Sequence, residues 1–426
     1  MTRIDSITAR AVWDSRGRPT VEAEVRLSDG AVGRAIAPAG ASVGTGEAVD
    51  LRDGGAHLGG YGVNTAANNV MTVIADRLRG HDAADQRGID AALLALDPTP
   101  QKARLGGNAT VATSMAVLHA AAASAGLPLY RYLAGDSRVS MPLPQIQIFG
   151  GGAHAGRRVD VQDFMVLCPN AGSVAEALRR TAEVYLAAGR RLADDGNRFG
   201  VADEGGWWPA FASNEAALDA LLAAIEASGF VPGEDVSIAL DIAASEFGAK
   251  GLYTLGLEQR SLDSDGLAEL LLRWVERYPI LSIEDPFAED DPEGFRRFSA
   301  AVAGKVQIVG DDLLVTNAAR VERAARDRLA SCVLVKPNQA GTVSEALAAV
   351  AAARAAGMAT IVSARSGETE DVTIAHLATG WNAGQIKVGS ITRGERTAKW
   401  NELIRIEEDV GSFAGWSALG LSHTDM

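Results

Sequence analysis

From Val236 onward, short apolar runs rich in β-branched residues recur along this chain, and each stops at a charged or hydroxyl side chain. VSIALD ends at Asp241, ILSIED at Glu284 and Asp285, and VQIVGDD at Asp311 and Asp312. The series continues through CVLVK to Lys336, TIVSARS to Ser363, Arg365 and Ser366, and GQIK to Lys387. Runs of this length and composition predict strands. Between them lie Ala- and Leu-rich segments with helical spacing, such as SEALAAVAAARAAG. Strand and helix in alternation, with a polar residue at each strand's C-terminal end, predict a parallel (β/α)8 barrel whose active site lies at that face. The pattern alone therefore gathers carboxylates, two lysines and an arginine around one pocket.

The first part of the chain has a different rhythm. ITARAVWDSRG, TVEAEVRLSDG and AVGRAIAPAG predict a three-stranded antiparallel meander with turns at SRGRP and SDG. A Gly-, Ala- and Ser-rich loop, APAGASVGTGEAVDLRD, follows, and then helical segments within NTAANNVMTVIADRLRG, QRGIDAALLAL and NATVATSMAVLHAAAASAGLPLYRYLAG. The expected class is α/β: an α+β domain over residues 1–135, a Pro-containing junction at SRVSMPLPQ, and a barrel domain over residues 140–426.

Composition narrows the partners. A net charge of −14 disfavours nucleic acid or an anionic membrane as the main partner, but leaves a small anionic substrate open. No run approaches the ~18 apolar residues of a membrane span, and the N-terminus enters a strand pattern directly, so a cytoplasmic protein is expected. Cys168 and Cys332 sit in or beside apolar runs without metal-type spacing, which reads as buried free thiols. Only six of the 40 basic residues are lysines, so Lys336 and Lys387, each directly after an apolar run, call for a partner or a task.

Two loops add candidate chemistry. QIQIFGGGAHAGRRVDVQDFMVL places His154, Arg157 and Arg158 on a Gly-rich loop, a place for an anion rather than a core. FGVADEGGWWP sets Asp203 and Glu204 beside two glycines and two tryptophans, which favours a pocket over a solvated turn.

These blocks together resemble the enolase family, whose members dehydrate 2-phosphoglycerate to phosphoenolpyruvate. The resemblance rests on DSRGRPTVEAEV, GGAHA, ADEGG, LDIAASEF, SIEDPFAEDD, VGDDLLVTN, LVKPNQ, RSGETED, GQIKVGS and NELIRIEE, in order over nearly the whole chain. It implies an Mg²⁺ held by Asp241, Glu284 and Asp311, and a second bound with substrate and helped by Ser42. That superfamily sites pair a Lys or His base with one or two Mg²⁺ is known of the superfamily, not read from these residues. By the same resemblance Lys336 is the base and Glu204 the acid assisting the leaving hydroxyl. Lys387 holds the substrate carboxylate, Arg365 and Ser366 its phosphate, and His154 closes over the site. Arg16 and Glu407 lie in blocks similar to those at the family's dimer contact, so a homo-oligomer, dimer or octamer, is expected.

The chain departs from the family at positions around that pocket. Ala39 replaces a loop serine, Ala364 a histidine, Asp163 a glutamate, and Gly150 an asparagine; GGWWP stands for GGYAP, and Arg157 and Arg158 are extra. What is lost belongs to the acid side of the reaction and to loop closure. Two arginines and an added indole offer anion binding and stacking. The expectation is a diverged member of the carboxyphosphonoenolpyruvate-forming branch, taking a phosphoenolpyruvate-like substrate and a CMP-linked phosphonate. Arg157 and Arg158 would meet the nucleotide phosphate, and Trp207 or Trp208 the base. An ordinary glycolytic enolase is the alternative. An inactive binding protein on this fold is a third reading, disfavoured by the intact set of buried charges.

Overall fold

The computed structural model describes residues 2–421. Its first sheet is the expected antiparallel meander of β1 (Ile4–Trp13), β2 (Pro19–Leu27) and β3 (Val32–Ile36). The helix Gly107–Ser124 packs on β2 and β3 and is buried nearly all round, because its other side meets the second domain. There Ser114 Oγ accepts the Val343 amide at 3.0 Å, and His119 Nε2 lies 2.8 Å from Thr373 Oγ1. Helix and sheet approach so closely at Gly33 that a Cβ would lie 2.1 Å from the Ala120 nitrogen.

The second domain is a closed eight-stranded barrel: β4 (Leu143–Gly150), β5 (Asp163–Leu167), β6 (Ser237–Asp241), β7 (Ile280–Glu284), β8 (Gln307–Gly310), β9 (Cys332–Val335), β10 (Ala359–Ser363) and β11 (Gly384–Ser390). Every strand from β6 on follows the parallel pattern, and the helix Val343–Ala355 forms where SEALAAVAAARAAG predicts it, capped by the Thr342 side chain. The departure is β5, which runs antiparallel to both neighbours. Parallel neighbours need a crossover, usually a helix, and residues 151–162 contain only one 3-10 turn, so the chain returns directly. The reversal has a chemical consequence. Asp163, the first residue of β5, pairs with Asp241, the last of β6, so a residue from a strand's start joins the face built by strand ends.

Both cysteines are free and buried, and burial pushes the Cys168 thiol up to about 12. Among the described residues no helix is long and apolar enough to cross a membrane. Arg16 and Glu407 are engaged within the chain. Arg16 donates to the Ala39 carbonyl at 2.9 Å, while Glu407 accepts the Val174 and Ala175 amides at 2.5 and 2.9 Å and caps the helix Val174–Asp194.

Candidate active site

At the strand ends the expected charges converge, and they are paired. The Lys387 ammonium, from the middle of β11, lies 2.8 Å from Asp241 Oδ2, 2.8 Å from Glu284 Oε2 and 3.2 Å from Asp163 Oδ2. Lys336, just after β9, forms a short ion pair with Asp311, whose other oxygen accepts Gln339 Nε2 at 2.9 Å. All of these groups are buried. Unpaired burial would discharge them, so the pairing decides their state. Burial works against the Lys387 and Lys336 charges, yet Asp241, Glu284 and Asp163 raise the first well above its ordinary value, and Asp311 raises the second. Glu284 is raised as well, by burial and the neighbouring Asp241, and for a carboxyl group that favours the neutral form.

A second layer bonds His154. Its Nδ1 is 3.3 Å from Asp163 Oδ1, its Nε2 3.0 Å from Ser366 Oγ and 3.8 Å from Glu204 Oε1. Burial lowers the imidazole pKa, but Glu204 and Asp163 more than offset it and leave it raised. Asp163, bonded also by the Gln147 amide, is held below the usual carboxylate range despite burial, chiefly by Lys387. Arg365 reaches the first domain: it donates to Glu47 Oε2 at 2.8 Å, Glu47 Oε1 at 3.3 Å and the Ser42 carbonyl at 2.9 Å. The loop carrying Ser42 is therefore folded down onto the barrel. A small cavity of about 20 Å³ remains, lined by Ser42, His154, Glu204, Lys336, Arg365 and Lys387 among others, and Ala364 belongs to its lining.

The acidic groups fit a divalent cation of the Mg²⁺ type. Asp241, Glu284 and Asp311 offer hard oxygen donors, Glu284 Oε1 is buried with no hydrogen-bond partner among the described residues, and the cations facing them are ammonium groups, Lys387 at Asp241 and Glu284 and Lys336 at Asp311. Among the described residues, Asp285–Asp311–Asp312 and His154–Asp163–Glu204 each bring three possible ligand atoms within 4.8 Å of one another, whereas Asp241, Glu284 and Asp311 do not form such a group. Asp285 has a scaffolding task in the first, since its two oxygens accept the Asp311 and Asp312 amides at 2.9 and 2.7 Å.

Residues 4–133 match the enolase N-terminal domain family, and residues 138–423 the enolase C-terminal TIM barrel domain family. The chain belongs to the enolase family. It is thus an enolase-superfamily protein with an α+β domain and a closed barrel, and the charged cluster lies at the barrel face where such folds carry their chemistry.

Two of the expected site residues lie outside the cluster. Arg157 turns away to Glu246, donating to its Oε2 at 2.6 Å and its carbonyl at 3.0 Å, with the side chain 63% exposed. Arg158 stacks between Phe199 and Trp208, 4.5 and 4.7 Å from the ring centroids. Trp207 is a packing residue, stacked on Tyr185 at 4.7 Å and filling the space over Gly189. Gly150 is enforced locally: a Cβ there would lie 2.4 Å from the Ala202 Cβ. Sequence reasoning missed Glu47, Gln339, Gln162 and Gln147, which orient the charged groups. Glu47 and Gln339 stand inside the quoted GEAVDLRD and LVKPNQ blocks, but neither follows a strand run, so no pattern marks them.

Proposed function

We propose that this enolase-family protein is an Mg²⁺-dependent enzyme acting on a 2-phosphoglycerate- or phosphoenolpyruvate-like acid, and that it has diverged into a carboxyphosphonoenolpyruvate synthase. In that reaction the enol oxygen of phosphoenolpyruvate exchanges its phosphoryl group, which passes to water as inorganic phosphate, for a phosphonoformyl group from a CMP-activated donor, with CMP leaving. The observation that carries the reading is position 364. An alanine lines the cavity there, while the base, the anion-binding groups and the metal carboxylates are all retained. Asp163 is spent on Lys387, His154 and Gln147, which supports a weakened acid side beside an intact anion-holding side.

In this reading Lys336 takes the proton from the carbon beside the carboxylate of a 2-phosphoglycerate-like acid, the enol form having none there, and Lys387 binds that carboxylate. Arg365 and Ser366 receive the phosphoryl or phosphonyl oxygens, and Glu204 protonates a departing oxygen. His154, held between Asp163 and Ser366, keeps water out on its loop. Asp241, Glu284 and Asp311 would hold Mg²⁺, with Ser42 helping to hold a second ion, and the metal would supply Lewis-acid stabilisation of negative charge developing on the substrate. Arg158 and Trp208 form the rim that meets the nucleotide-bearing donor, with Arg157 beyond them. The protein is proposed to be cytoplasmic and at least dimeric.

The test begins with purified protein, Mg²⁺ and 2-phosphoglycerate, following product absorbance in the ultraviolet. Turnover in the ordinary enzymatic range, ~1–10³ s⁻¹, assigns the protein as a dehydrating enolase and rejects the transferase reading. Bound 2-phosphoglycerate without turnover, followed by CMP release when CMP-activated phosphonoformate and the acceptor are added, is the expected result.

A further inference from the structure

One hydrogen-bonded path joins the Ser42 loop to the Lys336–Asp311 pair, and its centre is Gln339. This residue is 2% exposed and lies on the single helical turn Pro337–Ala340 that follows Lys336. Its Nε2 donates to Asp311 Oδ1 at 2.9 Å and to Glu47 Oε1 at 3.2 Å. Its Oε1 accepts the Thr316 hydroxyl at 2.7 Å, and its carbonyl accepts the Ala48 amide at 2.8 Å. Glu47 and Ala48 belong to the loop that covers the site, and Glu47 is also the partner of Arg365. Thr316 in turn accepts the Lys336 amide at 2.9 Å.

The seat of this path is strained. Val315 and Thr316 have φ of +44° and +54°, a region that β-branched residues rarely adopt and that surrounding contacts must impose. The closed loop presses on the same turn: a Cβ on Gly44 would lie 2.7 Å from Val315 Cγ1. Loop and turn therefore meet twice, by packing through Gly44 and by hydrogen bonds through Gln339. The two N–H donors on its one amide nitrogen let Gln339 serve two carboxylates at once. A carboxylate there would repel both, and an apolar side chain would take the donor from Asp311 Oδ1 and one of three donors from Glu47 Oε1, which also accepts the Gly44 amide and Arg365.

We infer that Gln339 is a positioning residue that couples closure of the Ser42 loop to the placement of Asp311 and Lys336. The inference rests on the reading of that pair as working groups. When the loop lifts, Glu47 and Ala48 leave Gln339, and its hold on Asp311 relaxes. The base is then in register only while the loop excludes water, which is what a gated site requires.

The coupling is read first by hydrogen exchange of residues 41–48 in the ligand-free protein, which needs no substrate. Gln339→Leu should speed exchange of the Glu47 and Ala48 amides about tenfold, with β9 unchanged, because one or two modest hydrogen bonds are lost. Turnover should fall through kcat with little change in KM, and Glu47→Gln combined with Gln339→Leu should cost no more than the larger single change. As a comparison, Glu289→Gln weakens another of the loop's fastenings, where Thr45 N and Oγ1 donate to Glu289 at 3.1 and 2.5 Å. It should speed exchange while acting mainly on KM. If Gln339→Leu fails to fold, Thr316→Val, which removes only the hydroxyl, carries the same test. Unchanged loop exchange in a folded variant, or additive effects of the Glu47 and Gln339 changes, overturns the inference. Faster loop exchange in a protein with no turnover on either substrate keeps the coupling and rejects the functional reading instead.

Discussion

The charges inside the barrel mouth and those on the loop above it are arranged in opposite ways. Inside, Asp163, Asp241, Glu284 and Asp311 surround two ammonium groups, all buried and almost all doubly partnered. Outside, Arg157 meets Glu246 in water, and Arg158 lies on the faces of Phe199 and Trp208. Buried charges are expensive to strand, whereas exposed pairs gain little over their hydrated state. The same side-chain types thus carry very different weight according to depth.

The sharpest way to break this contrast is Lys387→Met. It leaves Asp241, Glu284 and Asp163 facing one another without a cation, and loss of one partner of a buried ion pair costs about 3–5 kcal/mol. Urea unfolding of the ligand-free protein measures it, and Mg²⁺ should recover part of the loss. Gly150→Asn, which restores the family's usual residue, comes next. Its Cβ must displace Ala202 at the root of the His154 loop, and overpacking of this kind costs about 1–3 kcal/mol. A neutral outcome would mean that the loop root yields more easily than its contacts imply.

The inner belt also sets a pH dependence. Burial and the nearby Asp311 push Asp312 up to about 8, while Asp285 and Glu284 are raised well above their ordinary values by burial and neighbouring carboxylates. Such groups bind protons more readily folded than unfolded, so they stabilise the fold as pH falls from about 8 toward 5. Asp163 has the opposite sign: its depressed pKa gives stability that is fully present above the unfolded carboxylate value and is lost only as pH falls through the folded one. The melting temperature of the ligand-free protein should therefore rise on mild acidification. Asp312→Asn should flatten the rise, and so should Mg²⁺. A melting temperature that stays flat from pH 8 to about 5 would show that these carboxylates titrate as they do in the unfolded chain.

Depth also explains what the sequence made legible. A charge that ends an apolar strand run has nowhere to go but the barrel mouth, so Asp241, Glu284, Asp311, Lys336 and Lys387 were readable from pattern alone. Asp163 begins a run, and its place depended on β5 reversing, which follows from the absence of a crossover helix after β4. Arg157 and Arg158 sit on a loop with no such constraint. Their partners, Glu246 and the Phe199–Trp208 pair, lie far along the chain or across a turn, and residue type alone could not choose between them and a ligand. Glu47 and Gln339 were invisible for a third reason: their role exists only when two domains close on each other.

The smallest effect belongs to the outer belt. Arg157→Ala removes an exposed ion pair to Glu246 and should change stability by no more than about 0–1 kcal/mol. Arg158→Ala should cost somewhat more, because a guanidinium stacked on two rings is worth ~0.5–1 kcal/mol at an exposed site. Both variants should leave binding of 2-phosphoglycerate nearly unchanged, since neither side chain lines the inner cavity. Affinity for the CMP-activated donor separates the two arginines. Titration calorimetry should show Arg158→Ala weakening it more than Arg157→Ala, because Arg158 lies beside the indole while Arg157 is already committed to Glu246. Equal losses for the donor and the three-carbon acid would place these arginines in the structural rim alone, and the contrast between the two belts would then be one of depth without a division of chemical labour.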